Sequence, residues 1–327
     1  MNNLVSIPLP GIIFYEGSGT PYDETESGHG GTQLASLEIM KSLARLLEES
    51  FLIIHAHSRR TKLFTGRSGI NYAGKDLSSF HIALHVDMRI IRNSFKRDTK
   101  YIHWMHDDHA NISNKYDSRY LSNYDDVIVL SETQRAEWER THRLKNLRVI
   151  NNPIVTEGIS PSGGYDRFRL FCYSAKTNWE MVYQIISRLI KIDPRYKLYI
   201  CCPSYSKPPH KDSDGIINLG CLSHIDTIKE INRSLCVLYP TTQQESFGYI
   251  FAESNYYKTP VLTNHVTGST HEEMLTPASE QILPSKCQAE DFVNVIVKWN
   301  DVSNSRPSVS YKTSSEIIIR KWLDILV

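Results

Sequence analysis

Short apolar runs suited to β-strands alternate with longer stretches of helical periodicity from one end of this chain to the other. That alternation admits few architectures, because a helix between two strands carries the chain back across the sheet and makes the strands parallel. In the first half, strands are expected at residues 11–16, 51–57, 80–86, 100–106, 126–131 and 147–152. Their unbroken apolar character suits strands buried on both faces. A helix over 32–50 puts Leu34, Leu37, Met40, Ala44 and Leu47 on one face, and a second runs over 133–143. Residues 156–166, rich in Gly, Ser and Pro, read as a linker. The alternation then restarts, with strands at 168–174, 196–202, 216–222, 235–240 and 260–264. Helices are expected at 179–192, 225–234, 248–257, 289–301 and 314–327. At 327 residues the chain exceeds what one core usually organises. The pattern predicts an α/β protein of two Rossmann-like domains facing one another across a cleft, residues 1–155 and 167–312, followed by a terminal helix over 313–327.

Charge narrows the partners. Thirty-seven basic against 36 acidic residues leave a net charge of +1, so attraction to nucleic acid by bulk electrostatics is not expected. Between Arg59 and Lys100, however, ten basic residues meet only three acids. This stretch is either a solvated face or a surface for peripheral contact with an anionic membrane or acceptor. The six cysteines (Cys172, Cys201, Cys202, Cys221, Cys236 and Cys287) show no C-x-x-C spacing. Most lie in strand-like runs, as buried free thiols do in a reducing compartment. The first residues lack a basic region, and Pro8 and Pro10 interrupt their apolar stretch, which does not fit a signal peptide. No 18 apolar residues run together to predict a membrane span. A cytoplasmic location is expected.

Chemistry concentrates in residues 239–264. A strand ends at Pro240, a loop carries Glu245, and Ser246, Phe247 and Gly248 open a helix bearing Glu253. A helix N-terminus exposes unpaired N–H groups and partial positive charge, which suits a diphosphate, and Gly248 allows close backbone approach. Carboxylates accept pairs of sugar or ribose hydroxyls well. Two glutamates that merely cap and solvate a surface helix are the plainer alternative. The run ESFGYIFAESNYYKTPVLT, residues 245–263, nevertheless resembles the signature of retaining GT-B glycosyltransferases, the family-4-like group that includes sucrose-phosphate synthase and bacterial mannosyltransferases. It departs at Tyr257–Lys258, where that group commonly has Ala–Gly.

Further segments fit the resemblance in order. Gly30 and Gly31 resemble the glycine pair whose amides approach the donor. His106, beside Asp107, resembles the histidine of the loop after a first-domain strand. Residues 130–138 and 149–154 resemble the Ser-Glu and Asn-Pro elements closing that domain. Leu219, Gly220, Cys221 and Leu222 fall in the loop that reads the nucleobase. Where the family carries an Arg and a Lys on the diphosphate, this chain has Ser174, Lys176 and Asn178; Lys176 is the preferred cation, with Asn178 the other candidate. His103, His106 and His109 with Asp107 and Asp108 could be read as metal ligands. On a strand His103 and His106 would face opposite sides, so no metal site is expected.

The resemblance implies a metal-independent, retaining, hexosyltransferase-type enzyme that needs no cofactor beyond a UDP- or GDP-linked sugar donor. The acceptor would be a hydroxyl of a glycan, lipid or glycoprotein. His106, Glu245 and Lys176 are the expected catalytic residues. Donor binding would fall to Gly30, Gly31, Ser174, Asn178, Gly220, Cys221, Leu222, Ser246, Phe247, Gly248 and Glu253. A sugar-nucleotide epimerase or hydrolase, or an inactive nucleotide-sugar-binding module, are the alternatives. Helix 313–327 is expected to cross back to the first domain, packing Ile317, Trp322 and Leu326 there.

Overall fold

In a computed structural model of the chain, the described residues are 11–16, 31–47, 52–57, 60–63, 82–86, 100–106, 118–142, 144, 146–154, 159–161, 164–173, 177–202, 215–301, 307–311 and 314–326. The chain divides into two compact units. One takes the residues up to Pro153, apart from Glu24–Gly31, together with Ser315–Val327; the other takes Ile154–Ser314 with Glu24–Gly31.

The first unit holds a seven-stranded sheet of β1 (Gly11–Glu16), β2 (Leu52–His57), β3 (Arg60–Leu63), β4 (Ile82–Val86), β5 (Lys100–Trp104), β6 (Asp126–Val129) and β7 (Leu147–Val149). Their order is β3-β2-β1-β4-β5-β6-β7. Every pair is parallel except β2 with β3, an antiparallel edge not expected from the sequence. Arg60 and Lys62 give that strand the charged character of an edge and no apolar run to read. Helix α1 (Gly31–Leu47) buries Ala35, Leu37, Ile39, Met40 and Leu43, a broader face than the expected stripe, with Leu34 only partly covered. Helix α2 (Ser118–Leu121) is a single turn. Helix α3 (Glu132–His142) starts where Ser131 Oγ accepts from Gln134 N at 3.0 Å, while Gln134 Oε1 accepts from Leu130 N at 2.6 Å. The first bond satisfies one of the donors that a helix start would otherwise leave open, and the second ties Gln134 back to the residue before the cap.

The second unit is built on a six-stranded, wholly parallel sheet. Its strands are β8 (Asp166–Tyr173), β9 (Lys197–Cys201), β10 (Ile216–Asn218), β11 (Ser234–Tyr239), β12 (Val261–Asn264) and β13 (Ile282–Leu283), in the order β10-β9-β8-β11-β12-β13. The helices are α4 (Trp179–Ile192), α5 (His224–Arg233), α6 (Tyr249–Tyr256), α7 (His271–Met274), α8 (Ala278–Gln281) and α9 (Ala289–Asn300). Val182, Ile185, Ile186 and Leu189 of α4 share one buried cluster with Phe292, Val293, Ile296 and Trp299 of α9 and with Leu198, Ile200 and Leu238 of the strands. Strand β10 stops at Asn218, short of the expected residue 222. Gly220 adopts φ +69°, and Asn218 Oδ1 accepts from its N–H at 2.9 Å, so the chain turns there.

Helix α10 (Ser315–Leu326) is grouped with the first unit. It buries Ile318, Ile319, Trp322, Ile325 and Leu326, with Trp322 edge-on to Trp104 of β5 at 4.8 Å. Lys100 Nζ donates to Ile325 O at 2.5 Å. Ile317, expected among the packed residues, is instead 50 % exposed. The buried stripe begins one residue later, and about 100° per residue turns Ile317 to its margin.

Candidate functional site

The second sheet changes its direction of winding between β8 and β11. From β8 the chain steps outward to β9 and β10, then returns to the other side of β8 for β11, β12 and β13. Loops leaving the C-terminal ends of two such strands diverge, and that fork is where open α/β sheets take their ligands. Here the loops touch at a bridge between Thr177 and Thr241, and Asn178 N donates to Pro240 O at 2.7 Å. Asn178 also commits its side chain locally: its Oδ1 caps α4 by accepting from Met181 N at 3.2 Å. Ser174 and Lys176 lie outside the described residues, as do Gly30, Asp107, Asp108 and His109.

The loop after β11 is held in place by residues 263–270. Asn264 brackets Thr241, accepting from its N–H at 2.9 Å and donating to its carbonyl at 2.8 Å. Ser269 Oγ accepts from Glu245 N at 3.1 Å, and Thr270 Oγ1 donates to Phe247 O at 3.0 Å. Tyr239, fully buried at the end of β11, donates its hydroxyl to Glu245 Oε1 at 2.6 Å. Glu245 and Ser246 keep partial exposure, whereas Phe247 is buried. Gly248 caps α6 at φ +71°, and a Cβ there would strike the Phe251 ring at 2.4 Å. Only glycine meets both demands. It offers no capping side chain, so the first amides of α6 are not closed off by one.

Glu253 lies in the second turn of α6 with its side chain 6 % exposed. His224, the first residue of α5, meets it with Nε2 2.6 Å from Oε1. The preceding loop carries Gly220, exposed Cys221 and Leu222 past the end of β9, where Cys202 N donates to Gly220 O at 3.2 Å. Gly31 is grouped with this unit, and a Cβ on it would come within 2.8 Å of the Tyr249 ring. The structure thus gathers Glu245, Ser246, Phe247 and Gly248 on one pinned loop, and adds Tyr239, Asn264, Ser269, Thr270 and His224, none of which the sequence singled out. Tyr239 and Asn264 are hidden inside apolar strands, and His224 pairs with a residue 29 positions away.

In the first unit, His106 follows β5 and its ring lies 4.3 Å from that of Trp104. Burial, reinforced by neighbouring His103, pulls His106 down to about 3, and burial does the same to His103. Both rings are therefore neutral near pH 7. Among the described residues, no three His, Cys, Asp or Glu side chains are grouped to share a metal.

No protein-family model matches the sequence, and no curated protein matches it. Solved structures do. HepE of Anabaena, in complex with UDP-glucose, superposes with a TM-score of 0.63 at 12% identity, over 97% of this chain and 99% of that one. AviGT4, a glycosyltransferase involved in avilamycin A biosynthesis, gives 0.63 at 12% identity over 97% of each chain. TarM gives 0.55 at 16% identity over 77% of this chain, which spans only 55% of TarM. At such identities the likeness shows the fold, and the fold is GT-B, built from two Rossmann-like units. No helix among the described residues is long and apolar enough to cross a membrane.

Proposed function

We propose that this chain is a retaining, metal-independent glycosyltransferase that moves a sugar from a UDP- or GDP-linked donor to a hydroxyl of a glycan or lipid-linked acceptor. One observation carries the proposal: Glu245, the α6 start without a capping side chain and Glu253 lie along one loop-helix segment that leaves β11 at the fork of the second sheet. The GT-B neighbours that bind UDP-glucose or are named glycosyltransferases support it.

In this reading the amides of residues 246–248 and the ammonium of Lys176 take the diphosphate, Glu253 the ribose and Glu245 the hydroxyls of the transferred sugar. Gly30 and Gly31 would bring amides near the donor, and Gly220, Cys221 and Leu222 would face the base. The bond between the anomeric carbon and the diphosphate oxygen breaks as the acceptor hydroxyl attacks the same face. The departing phosphate takes the hydroxyl's proton, so no carboxylate nucleophile is needed, unlike retaining glycosidases with their paired carboxylates about 5 Å apart. His106, neutral, would stabilise developing positive charge through its carbonyl or ring dipole.

Thermal melting against UDP, GDP, ADP and their sugars tests the donor class. A ligand at 100 times its dissociation constant adds about 2.7 kcal/mol. Product analysis with the stabilising donor should then show the anomeric configuration retained and turnover unaffected by EDTA. No stabilising nucleotide, an inverted product, or turnover lost to EDTA and restored by manganese would each defeat the part of the proposal it addresses.

A further inference from the structure

His224 and Glu253 join the first turn of α5 to the second turn of α6 by one short side-chain contact. A carboxylate only accepts, so the shared proton sits on His224 Nε2 and fixes the orientation of the imidazole. Ser223 fixes the backbone beneath it, its Oγ accepting from Asp226 N at 3.1 Å and donating to Asp226 Oδ2 at 2.7 Å. Glu253 is the deeper partner and His224, with its side chain 19 % exposed, the outer one. Among the described residues, His224 is the side chain that hydrogen-bonds the Glu253 carboxylate.

We infer that His224 is a positioning residue that sets the nucleotide site's preference for ribose over deoxyribose, an inference resting on the reading of Glu253 as the ribose carboxylate. A carboxylate rotates easily about its last torsion, and its two oxygens are equivalent until something distinguishes them. Anchoring Oε1 does so: the carboxylate plane is set, and in this reading Oε2 is the oxygen that serves the sugar hydroxyls. A site prepared in this way rejects a ligand lacking the hydroxyl, because its own polar group then goes unserved. Without His224 a nearly buried carboxylate loses its donor and must turn toward water. That change blurs the distinction between ribose and deoxyribose without removing the diphosphate's contacts.

Calorimetry with UDP and GDP and their 2′-deoxy and 3′-deoxy counterparts tests this on the wild type, His224→Ala, His224→Gln and Glu253→Ala. The wild type should favour the ribonucleotide over at least one deoxy form by about tenfold or more. His224→Ala should bring that ratio close to one, as Glu253→Ala does, while the deoxy form binds nearly as before. His224→Gln, whose amide can donate from a similar place, should restore most of the ratio. A purely structural role would weaken all ligands together and leave the ratio alone. If His224→Ala keeps the wild-type ratio while Glu253→Ala loses it, His224 does not position the carboxylate and the inference falls. If Glu253→Ala keeps the ratio too, or the wild type binds neither nucleotide, the underlying reading of Glu253 fails and takes the inference with it.

Discussion

Glu245 and Glu253 are eight positions apart, yet they have unlike surroundings. Glu245 stays partly exposed on a loop with one oxygen held by Tyr239, whereas Glu253 is buried against His224. In the proposed function, a partly exposed carboxylate on this loop suits transient contact with the moving sugar. Glu245→Ala should therefore cut turnover at least tenfold while changing the affinity for the bare nucleoside diphosphate less than twofold; equal losses in both would place Glu245 on the nucleotide instead. The glutamates were legible in the sequence because their spacing belongs to one continuous strand-loop-helix segment. Tyr239 and His224 were not, since a tyrosine ending an apolar strand and a histidine opening a polar helix carry no local mark of their partners. His103 and His106 support a pH prediction. Unfolded, they titrate near 6.5; folded, near 3, so between those values the unfolded chain takes up protons that the folded chain refuses. The stability they contribute is complete above about pH 6.5 and declines toward pH 3, by roughly 1 kcal/mol per histidine per pH unit. Urea midpoints measured from pH 7 to pH 4 should fall less steeply for His106→Gln than for the wild type. Parallel slopes would mean that His106 is not buried in its neutral form.

Among the elements, α6 shows how a departure from a family pattern becomes physical. Its end is a Schellman turn: Thr259 N donates to Ser254 O at 2.8 Å and Lys258 N to Asn255 O at 3.1 Å. That turn puts Lys258 at φ +64°, the position where the resembled family commonly has glycine. Lys258→Gly should relieve about 1–2 kcal/mol of left-handed strain. It should also give back roughly 0.4–1 kcal/mol through the freer unfolded chain. The net expectation is a gain of about 0.5–1 kcal/mol in chemical denaturation, and a loss would show that the lysine side chain contributes more than its backbone costs. The long helices were legible because their apolar spacing matches the buried face; α4 runs from Trp179 to Ile192 as expected. The short elements were not. Strand β13 and helices α7 and α8 have two to four residues each, too few for a period to register, and tertiary packing decides them.

For the molecule as a whole, the second unit's residues from Ile154 to Ser314 come between two parts of the first, and α10 completes the earlier part. Deleting residues 314–327 would uncover Trp104 and strip Lys100 of its contact with Ile325. Loss of soluble yield and of activity together is expected, with Trp322→Ala a milder version that lowers stability by about 3–5 kcal/mol. A truncated chain that remains soluble and fully active would show that the helix is dispensable. The same arrangement bears on biosynthesis. Domains usually fold in the order in which they leave the ribosome. Here the first sheet is translated early, but the helix that covers Trp104 is translated only after the whole of Ile154–Ser314. A nascent chain would have to keep that tryptophan face from sticking elsewhere, by a chaperone or by haste, until α10 arrives. The half made first is the half finished last.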